Sequence, residues 1–179
     1  MRILRAKVYF LLILIFLIST IGAEQRPADA AQRPSALLLY PKASNVSSGR
    51  NGNDLTYHVN VKYPASDFIG WISNRLQELG WEPLKEDFLN PGLPTSQVRG
   101  WLEFVDERKK PELIHQWIGD WKDSSGNIVR YALRYRKPGY GTSDLTDLEV
   151  IASYDSASTV RKLQRSVERF KETQQRSPH

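Results

Sequence analysis

Two runs of alternating side chains, Leu113 to Lys122 and Asn127 to Arg136, stand on either side of Ser124-Ser125-Gly126 and leave the stretch from Glu112 to Arg136 little choice but a long β-hairpin. A three-residue loop is commonly a type I turn followed by a left-handed residue, and Gly126 sits where positive φ is needed. That loop pairs Asp123 with Asn127. Counting outward, Trp121 faces Val129, Gly119 faces Tyr131, Trp117 faces Leu133 and His115 faces Tyr135, so one face is almost wholly apolar. The other face pairs Asp120 with Arg130 and Gln116 with Arg134. A slip of one residue would move Trp117 and Trp121 beside Arg130, Arg134 and Arg136, and would create what looks like a binding surface. The unslipped register is preferred, because it matches opposite charges and lays an aromatic ring over a strand glycine. Both tryptophans are therefore expected in the core.

Charge separates the rest of the chain into parts. The 179 residues carry 25 basic and 20 acidic side chains, a net +5, and an ordinary apolar fraction of 40%, enough for one domain. Three of the basic residues, Arg2, Arg5 and Lys7, precede an apolar run, so the chain after Ala23 holds 22 basic against 20 acidic residues, or +2. Ser156 to His179 alone has six basic residues against Glu168 and Glu172, a local +4, which leaves the body at −2. Excess positive charge thus belongs to the last helix. There is no cysteine, which excludes disulfides, a thiolate nucleophile, cysteine metal sites and a lipid-modified cysteine.

Val8 to Ile18 is apolar apart from the Tyr9 hydroxyl, and Ser19-Thr20-Ile21-Gly22-Ala23 follows. A basic start, a short apolar run and small residues before Glu24 fit a secretory signal cut after Ala23, or an anchor retained in the membrane. Either way the domain is expected outside the cytoplasmic membrane, in the periplasm or beyond the cell. Residues 24–54 read as a mostly flexible linker, with one apolar cluster, Leu37 to Tyr40, suited to an edge strand ending at Pro41.

Residues 55–173 read as a single α+β domain, with a disordered tail at 174–179. Thr56 to Tyr63 alternates as a half-buried strand that Pro64 ends, and Ser66 is placed to cap a helix beginning at Asp67. Ile69, Ile72, Leu76 and Leu79, with Phe68 beside them, form its apolar stripe, and Gly80 stops it. Trp101 to Val105 is a short strand, and Leu148 to Tyr154 alternates again. Asp155 or Ser156 caps a final helix whose apolar stripe is Val160, Leu163, Val167 and Phe170. The predicted architecture is a single, mostly antiparallel sheet with two amphipathic helices packed on one face, preceded by the N-terminal signal or anchor helix.

Leu39-Tyr40-Pro41-Lys42-Ala43, then Tyr57 in a strand, Tyr63-Pro64-Ala65-Ser66-Asp67 and Leu76 to Leu79-Gly80-Trp81 together resemble small α/β domains of exported bacterial proteins and lipoproteins of unknown function. In that group a tyrosine-proline-x-alanine stretch precedes a strand, and the following helix ends in glycine-tryptophan. The resemblance spans roughly Leu39 to Glu82 and departs from the lipoprotein members in having no cysteine after the apolar segment. It implies an extracytoplasmic domain and supplies no catalytic residue.

Chemistry is sparse in the sequence. His58, His115 and His179 have no metal-ligand spacing with one another or with paired carboxylates, and no Gly-x-Ser-x-Gly elbow occurs. Asp120 and Asp123 near Gly126 are too few for a calcium loop. No catalytic, cofactor-binding or metal residue is assigned, and no cofactor, metal or nucleic acid is expected. The exposed flanks of the last helix carry Arg161, Lys162, Arg165 and Arg169, candidate contacts with an anionic surface. The expected function is a noncatalytic extracytoplasmic binding or accessory module, its partner an envelope protein or an anionic membrane or cell-wall surface. The alternative is an extracytoplasmic hydrolase with its site near His115 and Glu103.

Overall fold

A computed structural model describes residues 33–49, 51–106, 112–138 and 145–176. The elements run β1 (Ser44–Ser48), β2 (Asp54–Asn60), α1 (Ser66–Glu78), β3 (Glu82–Pro83), α2 (Ser96–Arg99), β4 (Leu102–Asp106), β5 (Glu112–Lys122), β6 (Ile128–Pro138), β7 (Asp147–Asp155) and α3 (Ala157–Arg176). The fold is α+β. One antiparallel sheet has the order β1-β2-β7-β6-β5-β3, and β4 lies beside the first half of β5 while β3 lies beside its end. The expected signal or anchor segment falls outside the described residues. Among the described residues no helix is long and apolar enough to cross a membrane.

The hairpin has the register its loop dictates. Trp121 pairs with Val129, Gly119 with Tyr131, Trp117 with Leu133 and His115 with Tyr135. Gly126 takes φ 87°, and its N–H donates to the Asp123 carbonyl at 3.0 Å. Asp123 reinforces the turn by accepting the Ser125 and Asn127 N–H groups on Oδ1, each at 2.9 Å. Trp121 is wholly buried and Trp117 nearly so. Both indoles lean over Gly119, where an added Cβ would collide with each ring. The glycine is there because two large rings already occupy its side-chain space.

The aromatic face continues across the sheet through Tyr131, Leu133 and Tyr135 of β6, Leu148, Val150 and Ala152 of β7, and Leu55, Tyr57 and Val59 of β2. Against it pack Phe68, Ile72 and Leu76, one stripe of α1. That stripe is narrower than the sequence suggests, since Leu79 is exposed. The start of α1 also differs. Ser66 is already helical, and the preceding Ala65 is left-handed at φ 57° with no side-chain cap. The end is a Schellman motif: Trp81 N–H donates to the Leu76 carbonyl and Gly80 N–H to that of Gln77, both at 2.9 Å, with Gly80 at φ 81°. Leu76 and Trp81 are both in the core, so the hydrophobic contact that accompanies such a cap ties α1 to the sheet.

Two expectations need correction. Leu37 to Tyr40 is not an edge strand; the edge is β1, whose polar residues are all exposed. Apolar side chains gain more by leaving water than an edge position offers. Ala36 and Leu37 are instead buried against the aromatic face. The Tyr131 hydroxyl fastens this segment, accepting the Leu38 N–H and donating to the Ala36 carbonyl, both at 2.7 Å.

The second correction concerns the helices, which do not share one face. Val160 of α3 packs with Ile128 and Phe88, and Ile128 points to the opposite side of β6 from Val129 and Tyr131. Only Ser156 separates β7 from α3, so the helix must turn back at the end of the sheet. By then α1 and residues 36–40 have filled the aromatic face. The segment after β3 supplies Phe88, Leu84 and Leu89 to complete a smaller apolar patch on the other side. The helix start is held by Asn127, whose Oδ1 accepts the Ala157 N–H at 2.9 Å, and by Ser156, whose Oγ accepts the Thr159 N–H at 3.3 Å.

Candidate functional site

The side of the sheet away from Trp117 and Trp121 carries rows of polar residues. Asp120, fully buried, takes two bonds from Arg130, at 2.7 Å from Nε and 2.8 Å from Nη2. Asp87 accepts a third from Arg130 Nη2 at 2.9 Å, and the Phe88 ring lies 4.7 Å from the guanidinium carbon. Burial opposes the charge of Arg130, but Asp120 and then Asp87 overcompensate and hold it more firmly protonated. Asp120 and Asp87 thus engage Nε and Nη2 of Arg130, while Nη1 makes no hydrogen bond among the described residues. Farther along, Arg134 donates to Gln116 at 3.1 Å, and Arg136 spans Glu112 at 3.1 Å and Glu149 at 3.2 Å.

Beside the triad lie Asp54 and Asp155. Burial raises both carboxyls above the ordinary range, and Asp155 is pushed further by the negative charge of Asp54. Asp123, the other member of the acidic pair near Gly126, is spent in the turn. Among the described residues there is no grouping of His, Asp and Glu able to hold a metal ion.

A different environment forms at the far end of the aromatic face. Glu103 of β4 pairs with His115 of β5, and the carboxylate Oε2 lies 3.5 Å from the imidazole Nδ1. Glu103 is 60% exposed and His115 only 13%. Over them sit Tyr63, with its ring centroid 5.0 Å from the imidazole, and Trp101, 5.3 Å from Tyr63. Tyr135 forms the floor and donates to the Val61 carbonyl at 2.7 Å. The structure therefore brings the two residues of the hydrolase alternative together. It also adds Tyr63 and Trp101, which sequence reasoning left out. Trp101 and Glu103 are two residues apart and hence on one side of the extended chain, a signal that was present. What was missing was the pairing of β4 with β5, which carries them to His115.

The four candidate basic residues lie on α3. Val160 is buried, Leu163 is half-buried, and the Gln164 amide donates to the Phe88 carbonyl at 3.1 Å, so the first turns of the helix rest on the domain. Arg161, Arg165 and Arg169 recur every four residues; Arg165, Arg169 and Lys162 lie opposite that apolar stripe and Arg161 on its flank, on a helix of 3.6 residues per turn. All four are exposed. Arg165 and Arg169 touch the carbonyls one turn back, at 3.3 Å, and among the described residues none of the four has an acidic partner. Between the start of α3, the hairpin turn and residues 84–91 runs a groove of about 340 Å³ with Ile128, Val160 and Phe88 in its wall and Lys122 and Arg161 along it. Against known proteins, the chain matches no family model, no curated protein and no solved structure.

Proposed function

We propose that this protein is a noncatalytic extracytoplasmic binding or accessory module that docks on an anionic membrane surface through the basic face of α3. The carrying observation is the row Arg161, Lys162, Arg165 and Arg169, solvent-facing and without carboxylate partners among the described residues, on a helix whose opposite side is anchored to the sheet. Fixed positive charges near an anionic bilayer contribute on the order of 1 kcal/mol each. The basic and apolar N-terminal stretch supports export and nearness to a membrane, as does the resemblance of residues 39–82 to exported domains. Elsewhere the charged groups mostly neutralise one another, as in Asp87-Arg130-Asp120 and Glu112-Arg136-Glu149.

Flotation with vesicles containing phosphatidylglycerol, at low and at high salt, tests this reading. The protein without its leader is expected to float with anionic vesicles at low salt and to be released by salt, as screening demands. Replacing the four basic residues with glutamine should abolish flotation. Binding to neutral vesicles of equal strength, or an undiminished response in the quadruple variant, would overturn it.

Hydrolysis at His115 and Glu103 is the competing reading, favoured by their 3.5 Å approach. It requires a turnover that disappears in both His115→Ala and Glu103→Gln. Turnover preserved in the double variant eliminates that assignment.

A further inference from the structure

The geometry points to a saccharide-binding site at the far end of the aromatic face, built from Tyr63, Trp101, Glu103 and His115. It lies away from α3, which begins beside Ile128 at the hairpin-turn end of the sheet, and it does not depend on the membrane reading. Tyr63 and Trp101 are half-buried rings at the surface, set at 61° to one another with centroids 5.3 Å apart. Next to them are an exposed carboxylate and a mostly buried imidazole. No hydrogen bond among the described residues uses the Tyr63 hydroxyl or the Trp101 indole N–H. The site therefore combines apolar ring surface with unspent donors and acceptors within one small area.

Three ligand classes can be compared on this geometry. A phosphate or carboxylate ligand would meet Glu103, whose like charge repels it. A quaternary ammonium needs open space between ring faces, but Tyr63, Trp101 and Tyr135 pack against one another at 5.3 to 5.7 Å and enclose none. A neutral sugar ring fits better. Its C–H face can lie on the electron-rich face of an aromatic ring, while its hydroxyls donate to Glu103 and exchange hydrogen bonds with His115, Tyr63 and the indole N–H. The Tyr135 bond to Val61 fixes the floor beneath the rings, so little ordering is required on binding.

The experiment follows the Trp101 indole N–H resonance of the isotopically labelled protein, without its leader, during titration with cellotetraose, chitotetraose and maltotetraose. At least one is expected to shift that signal saturably, with dissociation in the millimolar range typical of a shallow site. Glu103→Ala, at an exposed position, should weaken that binding about tenfold, the effect of losing a single charged acceptor. Trp101→Ala, followed instead through the His115 imidazole resonances, should abolish the saturable response. Unchanged resonances at the turn end of the hairpin, from Gly119 to Tyr131, in either variant show that the fold is intact. If none of the three sugars moves the Trp101 signal, or if Glu103→Ala binds as well as the parent, the proposal is wrong. Shortening of a bound oligosaccharide would overturn the noncatalytic reading while leaving the saccharide site standing.

Discussion

The two faces of the sheet solve the same problem, removing a long hairpin from water, by opposite means. On one face Trp117, Trp121, Tyr131 and Leu133 are sealed by α1 and residues 36–40, and the stabilisation is burial of ring and aliphatic surface. On the other, Asp120 and Arg130 are also withdrawn from water, but as charges, and they are tolerable only because each satisfies the other and Asp87 closes the set. The apolar face can absorb small losses one contact at a time. The ionic face is less forgiving, since removing Asp120 or Arg130 leaves a buried charge without its two-bond partner.

The largest effect is therefore expected from Asp120→Ala. It leaves the Arg130 guanidinium buried with Asp87 alone and should cost about 3–5 kcal/mol, read from chemical denaturation of the domain. Replacing the whole set, Asp120→Leu with Arg130→Met and Asp87→Leu, should recover much of that loss. If the single change costs no more than a surface substitution, the contrast between the faces is wrong.

A smaller loss is expected on the aromatic face. Tyr131→Phe keeps the ring in place and removes only the hydroxyl that both accepts from Leu38 and donates to Ala36, leaving two backbone groups without that partner. The cost should be about 1–3 kcal/mol. Amide exchange should show faster opening at Leu38 while the hairpin amides keep their protection. Uniform loss of protection across the hairpin would mean that residues 36–40 are not a separable cover.

The smallest effect has the opposite sign. Asp155 is raised above its ordinary value of 3.8 by burial and then by Asp54, so at neutral pH its ionised form is harder to accommodate folded than unfolded. As pH falls through the raised folded value toward 3.8, the folded state takes up the proton first and this disadvantage disappears. Asp155→Asn should accordingly raise the thermal midpoint slightly at pH 7, with the gain fading toward pH 4. A gain that persists or grows in acid would contradict the assignment.

Residues within the hairpin were legible because their constraints are local. Gly126, the three-residue loop and the strict alternation allow only one pairing that places Trp117 and Trp121 together on a dry face, and that pairing is found. The same locality made the end of α1 readable, since Gly80 and Trp81 complete a cap four to five residues long. The face that α3 covers was not legible. Its stripe of Val160, Leu163, Val167 and Phe170 specifies that one side seeks apolar surface, and carries no information about which apolar surface is still vacant. Asp87 meeting Arg130 was equally hidden, because they are 43 residues apart, with α2, β4 and β5 between them in the chain.

By itself, then, the sequence determined periodicity, turn position, hairpin register and the one-sidedness of each helix, all properties of residues within a few bonds or a few turns of one another. Only the tertiary structure decided that residues 36–40 and α1 share one face, that α3 takes the other with Phe88, and that β4 carries Trp101 and Glu103 to Tyr63 and His115. The reason is competition for space. A side chain's preference for leaving water is intrinsic, whereas the place it occupies depends on which other segments have already filled the sheet.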